Sequence, residues 1–69
     1  MTELIREATR DGRRVALLRC YDGDQATIVE YEAGPSARRG TYRFSTAPEA
    51  FRFVQEALLA LQYLGCNVR

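Results

Sequence analysis

The last third of the chain constrains the fold more than any other stretch. Residues 46–65 read TAPEAFRFVQEALLALQYLG, and their apolar residues recur at the three- and four-residue spacing of an amphipathic helix. Thr46 and Glu49 have the spacing of a capping box, and Pro48 lies in the first turn, where a missing N–H costs nothing. Gly65 follows the last apolar residue and is suited to a left-handed C-cap. The sequence therefore predicts one helix with defined ends, which the rest of the chain has to cover.

The predicted helix is apolar over about half of its circumference at 3.6 residues per turn. The apolar positions are Ala47, Ala50, Phe51, Phe53, Val54, Ala57, Leu58, Ala60, Leu61 and Leu64. Leu59 and Tyr63 fall on the polar side, one turn apart. An isolated exposed leucine needs no explanation, but the two together are also the size of a small contact for a partner helix. We take Leu59 and Tyr63 as the candidate interface residues of the helix and leave both interpretations open.

Before the helix, the sequence predicts four strands, at residues 3–10, 13–21, 25–33 and 40–45, with a loop at 34–40. The strongest hairpin pattern is Asp11-Gly12, because a type I′ turn requires positive φ at both central residues. Residues 2–10 also fit a helix capped by Thr2. The element order is thus β-β-β-β-α, with α-β-β-β-α as the alternative. Both orders predict an α+β fold, in which an antiparallel meander packs against the C-terminal helix and residues 1–69 form one domain.

The second predicted strand has apolar side chains on both faces, which is typical of a central strand. By alternation, one face carries Val15, Leu17 and Tyr21, and the other carries Ala16, Leu18 and Cys20. One helix covers only one face of a small sheet, so we expect a second subunit or the N-terminal segment to cover part of the other face. The following turn, Asp22-Gly23-Asp24, is not expected to be a calcium loop, because it lacks the other ligands. Two- and three-residue turns both give acceptable pairings here, so the register of the two flanking strands stays open. The pattern favours a protein-interaction module or a homodimer.

Composition argues against an enzyme or a metal protein. The chain has no histidine, its cysteines, Cys20 and Cys66, have no CxxC spacing, and no phosphate-binding glycine loop is present. We therefore expect no catalytic residues, no cofactor and no metal. The charged start of the chain resembles neither a secretory signal nor a membrane span. Two lone cysteines are typical of a reducing compartment, so we expect a cytoplasmic location and no membrane partner. A Cys20–Cys66 bridge stays open, because it depends on a distance that the sequence does not give.

Single-stranded nucleic acid is the alternative partner. All ten basic residues are arginines, although the net charge is only +1. The candidate contacts are Arg13, Arg19, Tyr31, Arg38, Arg39, Tyr42 and Arg43, on predicted strands and in the 34–40 loop. Arginines that contact phosphates and aromatic rings that stack on bases are the usual combination in single-strand binders. A continuous positive stripe would favour this alternative, whereas arginines paired with glutamates would favour the protein-interaction hypothesis.

The order β-β-β-β-α resembles that of the purine-rich-element-binding, Whirly and transcriptional-coactivator families, a likeness of topology. No motif of these families matches residue by residue, so no site residue is carried over. The order α-β-β-β-α resembles the double-stranded-RNA-binding domain, whose hallmark is a lysine cluster at the start of the final helix. Here that position reads Thr46-Ala-Pro-Glu-Ala, with an acid and no base. The residues therefore do not favour a double-stranded-RNA role.

Overall fold

The structure is a computed structural model and describes residues 3–69. Five antiparallel strands form one sheet, with α1 on one face. In chain order the elements are β1 (Leu4–Arg10), β2 (Arg13–Gly23), β3 (Ala26–Ala33), β4 (Arg38–Phe44), α1 (Ala47–Tyr63) and β5 (Asn67–Val68). Across the sheet the strands lie in the order β4-β3-β2-β1-β5. The predicted α+β meander is confirmed, and the α-β-β-β-α alternative is wrong because residues 4–10 form a strand. The proposed Thr2 cap lies outside the described residues.

Two tight turns fix the register of the first three strands. Asp11 and Gly12 have φ values of 53° and 77°, which are the positive angles that a type I′ turn needs. The β2–β3 turn is Asp24-Gln25, since Gly23 lies opposite Ala26 in the ladder. Gln25 takes the positive φ, at 60°. This two-residue turn places Arg19 directly opposite Glu30.

The loop predicted at residues 34–40 is wrong in extent. Only residues 34–37 form the connection, because β4 begins at Arg38, which lies opposite Ala33. Gly34 and Ala37 have positive φ, at 79° and 51°, and the Ala37 N–H donates to the Gly34 carbonyl over 3.1 Å. The turn is therefore tight enough to bring Arg38 and its two successors into the ladder with β3. The arginines expected at a loop tip are strand residues.

A β-bulge interrupts the pairing of β1 with β2. Ala8 lies opposite Ala16, but Thr9 lies opposite Arg14, so Val15 is the extra residue of β2. Its carbonyl accepts from the Gly34 N–H over 3.0 Å, and its side chain packs against the cluster of Ala8, Ala16 and Cys66. A bulge shifts the alternation of the strand that contains it. The predicted grouping of Val15 with Leu17 and Tyr21 is therefore wrong.

Both ends of α1 are capped. Thr46 is the N-cap, and its hydroxyl accepts from the Glu49 N–H at 3.4 Å. The Glu49 carboxylate accepts from that same hydroxyl at 2.9 Å, so the carboxylate bonds the hydroxyl rather than the predicted Thr46 N–H. At the other end Gly65 has φ 95°. The N–H groups of Gly65 and Cys66 donate to the carbonyls of Gln62 and Leu61, which is the Schellman pattern.

The core lies between α1 and the central strands. Its buried residues are Leu18, Cys20, Val29, Ala50, Val54 and Leu58, and a smaller cluster is formed by Ala8, Ala16 and Cys66. The chain then adds a short strand that the sequence did not predict. β5 pairs with Ala8 and Thr9 of β1, and Arg69 exchanges two backbone hydrogen bonds with Glu7. Among residues 3–69, no helix has the length and apolar character needed to cross a bilayer.

Candidate functional site

The face of the sheet opposite α1 carries a network of ion pairs. Arg14 lies 3.9 Å from Glu7 and 3.6 Å from Glu32, so it bridges β1 and β3. Arg39 lies 3.3 Å from Glu32 on the other side. Cross-strand neighbours on one face of a sheet are close enough for such pairs. Because these side chains are partly or largely exposed, each pair contributes only about 0–1 kcal/mol to stability.

A second group of charges surrounds Tyr21 on the same face. The Arg19 Nε donates to the Glu3 carboxylate at 2.8 Å, and this bond raises the pKa of the Arg19 guanidinium. That guanidinium also lies 5.8 Å from the centre of the Tyr21 ring. The Tyr21 hydroxyl donates to Glu30, and this hydrogen bond is the main reason that the pKa of Tyr21 is raised. The tyrosine and the arginine are held in place by glutamates on either side.

A depression of about 430 Å³ lies over this network. Its charged walls are Arg19, Arg39, Glu30 and Glu32, two bases and two acids. Arg19 and Arg39 each already contact one of these acids. The depression is therefore electrically balanced and offers no unpaired charge to an ionic ligand.

The structure divides the predicted nucleic-acid contacts between two faces. Arg19, Arg39 and Arg43 lie on the open face, opposite Glu30, Glu32 and Ile28 respectively. Tyr31 and Tyr42 lie on the helix side, where their rings stack 5.5 Å apart. Arg38 shares that side of β4, and Arg13 lies beside the first turn, opposite Arg10. The seven residues do not form one surface.

The helix side holds an apolar groove that α1 leaves uncovered. It has a volume of about 360 Å³ and lies between α1 and the sheet. The sheet contributes Ala16, Leu18, Tyr31, Ala33 and Tyr42, and the helix contributes Phe53, Ala57, Ala60 and Leu61. None of these nine residues is charged. The arrangement can bury apolar side chains of a ligand.

Side-chain size explains the groove. Aromatic contacts hold α1 over β4, because the Phe53 ring lies 4.8 Å from the Tyr42 ring and 5.4 Å from the Phe44 ring. Farther along, four alanines line the groove, two from each wall: Ala16, Ala33, Ala57 and Ala60. Helix and sheet therefore meet at large side chains and leave space between small ones. One feature of the sequence points to this space: the apolar arc of α1 is wider than the buried strip of Ala50, Val54 and Leu58.

Next to the groove lies the free edge of the sheet. β4 pairs with β3 on one side, and no strand of residues 3–69 pairs with its other side. Its residues are RRGTYRF, with three arginines and no acid. Arg39 contacts Glu32, whereas neither Arg38 nor Arg43 is in an ion pair within the described part of the chain. Tyr42 is 44% exposed, so the edge offers backbone groups, an aromatic ring and positive charge.

The two candidate interface residues of the helix lie elsewhere. Leu59 is 58% exposed and Tyr63 is 92% exposed. Neither lines the groove. They form a separate, smaller apolar strip on the outside of α1.

The two cysteines lie in the interior of the protein. Cys20 and Cys66 are free thiols, both buried, and burial raises the pKa of the Cys20 thiol. A raised pKa reduces the thiolate fraction that nucleophilic chemistry needs. Residues 3–69 contain no group of three or more His, Cys, Asp or Glu side chains placed to hold a metal ion.

Comparison with protein families, with curated proteins and with solved structures finds no match to this chain. The topological resemblance drawn from the sequence therefore concerns the order of elements alone.

Proposed function

We propose that this chain is a non-enzymatic binding module that holds a second polypeptide at the β4 edge and in the adjoining groove. That polypeptide is either another protein or a second copy of the chain. The observation that carries the proposal is the position of a seven-residue edge strand, whose outer side pairs with no strand of residues 3–69, beside an uncovered apolar groove. Together they supply the two things that strand addition uses, backbone hydrogen-bonding groups and pockets for side chains.

The two edges of the sheet differ in a way that supports the choice of β4. At the β1 edge, β5 pairs with Ala8 and Thr9, and the backbone of Glu7 bonds Arg69. At the β4 edge, β3 is the one strand of residues 3–69 that pairs with Arg38–Phe44. Exposed strand edges are places where another chain readily pairs. The longer uncovered edge is also the one that adjoins the groove.

The arginines give the nucleic-acid alternative less support. Arg14, Arg19, Arg39 and Arg69 all lie within 4 Å of a glutamate. Phosphate binding requires positive charge that is available to neutralise the backbone. The aromatic rings offered for base stacking, Tyr31 and Tyr42, lie on the other face from most of these arginines. Paired charges of this kind favour a protein-interaction surface. The two buried free thiols are in keeping with a cytoplasmic location, which we propose as well.

The test is to block the groove without disturbing the fold. Ala60 is exposed on α1 and lines the groove, so Ala60→Glu places a charge in it at little cost to the helix. Gln62→Glu is the matched control, since Gln62 is exposed on the same helix and does not line the groove. Thermal melts of both variants are expected to match the wild type. Sedimentation velocity over a range of concentrations reports self-association, and selection from a displayed random-peptide library reports peptide binding.

We expect self-association or selected peptides with the wild type and with Gln62→Glu, and a loss of both with Ala60→Glu. A monomer that selects no peptide would refute the proposal. Binding that is equal in the two variants would place the interface away from the groove. Salt-sensitive binding of single-stranded oligonucleotides, unaffected by Ala60→Glu, would favour the nucleic-acid alternative.

A further inference from the structure

The charge of the β4 edge indicates what kind of polypeptide fits it. Resting on the proposed function, we propose that the partner is an extended acidic segment, which adds to β4 as an outer strand. Its side chains alternate between acidic and apolar. The acidic ones face the open side of the sheet, and the apolar ones face the groove.

Arginine is the only charged residue type in β4, at Arg38, Arg39 and Arg43. The neighbouring strand supplies one compensating contact, from Glu32 to Arg39. Arg38 and Arg43 have no acidic partner within residues 3–69. An incoming strand lies about 5 Å from β4, close enough for opposite charges to pair across it.

The two faces of β4 differ, and this difference sets the alternation of the partner. On the open face the strand shows Arg39, Thr41 and Arg43. On the helix side the series runs Arg38, Gly40, Tyr42 and Phe44, and Tyr42 also lines the groove. Successive residues of a strand point to opposite faces. A segment with acids on one face and apolar residues on the other therefore meets arginines with its acids and the aromatic rings with its apolar side chains.

A second copy of this chain fits the same edge less well. If two β4 strands paired, six arginines, three from each copy, would lie on adjacent strands that contain no acid. Like charges on neighbouring strands are destabilising. The apolar groove itself does not discriminate between occupants, because its lining is uncharged. Charge is thus what favours an acidic partner over self-pairing.

The experiment uses blocked, fluorescein-labelled peptides of the same length as β4. One alternates valine and glutamate, one alternates valine and lysine, and one has the composition of the first with its glutamates grouped together. Each is titrated into the full chain by fluorescence anisotropy, and amide chemical shifts of ¹⁵N-labelled protein locate the binding site. We expect the alternating glutamate peptide to bind at least about tenfold more tightly than the other two. The amide shifts should change along β4 and around Ala57 and Ala60.

The variant Arg43→Glu tests the charge directly, because Arg43 lies on the open face, where the acidic side chains of the partner are placed. Arg43 is in no ion pair with residues 3–69, so the variant should melt like the wild type. We expect it to lose the preference for the glutamate peptide. Arg52→Glu, on the exposed surface of α1, is the matched control and should keep the wild-type preference.

Three results would overturn this inference. The first is equal binding of the glutamate and lysine peptides, and the second is a set of shifted amides that excludes β4. The third is self-association that Ala60→Glu abolishes, because the occupant would then be a second copy. In that case the proposed function would stand. It would also stand if a random-peptide library yielded ligands that depend on the groove but have no acidic bias. If the chain is a monomer and selects no peptide, both proposals are refuted.

Discussion

At the scale of single residues, the contact between Gly40 and Tyr31 limits which side chain β4 can carry at position 40. The two residues lie opposite each other, and a Cβ added at Gly40 would overlap the Tyr31 ring. The ring occupies the space that a side chain would need, and from there it stacks on Tyr42. Glycine is therefore required at this position because of its size. The same ring lines the groove, so a change at Gly40 also alters the candidate site.

We predict that Gly40→Ala destabilises the chain by about 1–3 kcal/mol, the usual cost of overpacking. Urea unfolding measures the change. The control is a double-mutant cycle with Tyr31→Ala, because removing the ring removes the overlap. In the Tyr31→Ala background the alanine at position 40 should cost much less. An equal cost in both backgrounds would mean that the strand itself, rather than the ring, requires glycine.

Tyr21 leads to a prediction about pH. Its hydroxyl donates to Glu30, and its pKa in the folded chain is raised above the ordinary tyrosine value. The folded state therefore holds this proton more tightly than the unfolded state does. The resulting contribution to the free energy of unfolding is complete below the ordinary pKa of tyrosine and is lost as the pH rises through the raised value.

We expect wild-type stability to fall more steeply than that of Tyr21→Phe above the ordinary pKa of tyrosine. Urea unfolding over an alkaline pH series gives this comparison. Absorbance titration of the tyrosinates should show a late-titrating group that disappears in Tyr21→Phe. In Glu30→Gln that group should titrate earlier, since the carboxylate that raises its pKa is gone. Parallel stability curves for the wild type and Tyr21→Phe would contradict the assignment.

At the scale of elements, α1 is held by one strip of its apolar arc. Leu58 is buried in the core, Leu61 packs against it from a partly buried position, and Leu59 is exposed. We predict a loss of about 2–5 kcal/mol for Leu58→Ala. Leu61→Ala should cost less, and Leu59→Ala, the control, less than about 0.5 kcal/mol. Thermal melts measure all three. Equal losses at Leu58 and Leu59 would mean that a different face of the helix is buried.

The N-cap of α1 gives a separate prediction. The Thr46 hydroxyl both accepts from the Glu49 N–H and donates to the Glu49 carboxylate. Thr46→Ala should therefore lower the free energy of unfolding by about 1 kcal/mol, as measured by urea unfolding. Thr46→Ser keeps the hydroxyl and is the control, with a much smaller loss expected. An unchanged stability in Thr46→Ala would mean that the cap does not stabilise the helix.

The elements that the sequence predicted are those with a local cause. Asp11-Gly12 determines its own turn, and Thr46 and Gly65 determine the helix ends, because capping and positive φ depend on neighbouring residues. The carbonyl of the bulge residue Val15 accepts from Gly34, and Asn67 and Val68 pair with β1, so both features depend on residues that are distant in the chain. A strand of two residues is also too short to show a periodicity. The sequence does not predict the β4 start at Arg38 because the turn before it needs a positive φ at Ala37, a conformation that alanine does not signal.

The candidate site was predictable only in part. The sequence predicted that Tyr42 lies on a strand and that Leu59 lies on the polar side of the helix. It did not predict the groove, which depends on how α1 is placed over the sheet. That placement follows from the contacts of Phe53 with the aromatic residues of β4. These contacts connect residues that no local pattern relates.

At the scale of the whole molecule, two apolar surfaces of different size are the candidates for a partner. One is the groove with the β4 edge, which has nine lining residues and backbone groups beside it. The other is the strip of Leu59 and Tyr63 on the outside of α1. Binding energy concentrates where side chains of the partner can be enclosed, rather than at exposed rims. The groove has a helix wall and a sheet wall for this purpose, whereas the strip projects from one helix.

We therefore predict that Leu59→Ser/Tyr63→Ser leaves the affinity for a groove-selected peptide within about twofold of the wild-type value. Both side chains are largely exposed, so the melting temperature should also change little. Ala60→Glu, on the same helix but in the groove, should abolish the binding. Anisotropy titration of one peptide against the three proteins gives the comparison. If the serine variant lost binding and Ala60→Glu kept it, the outer strip of α1 would be the interface, and the helix rather than the β4 edge would be where partners dock.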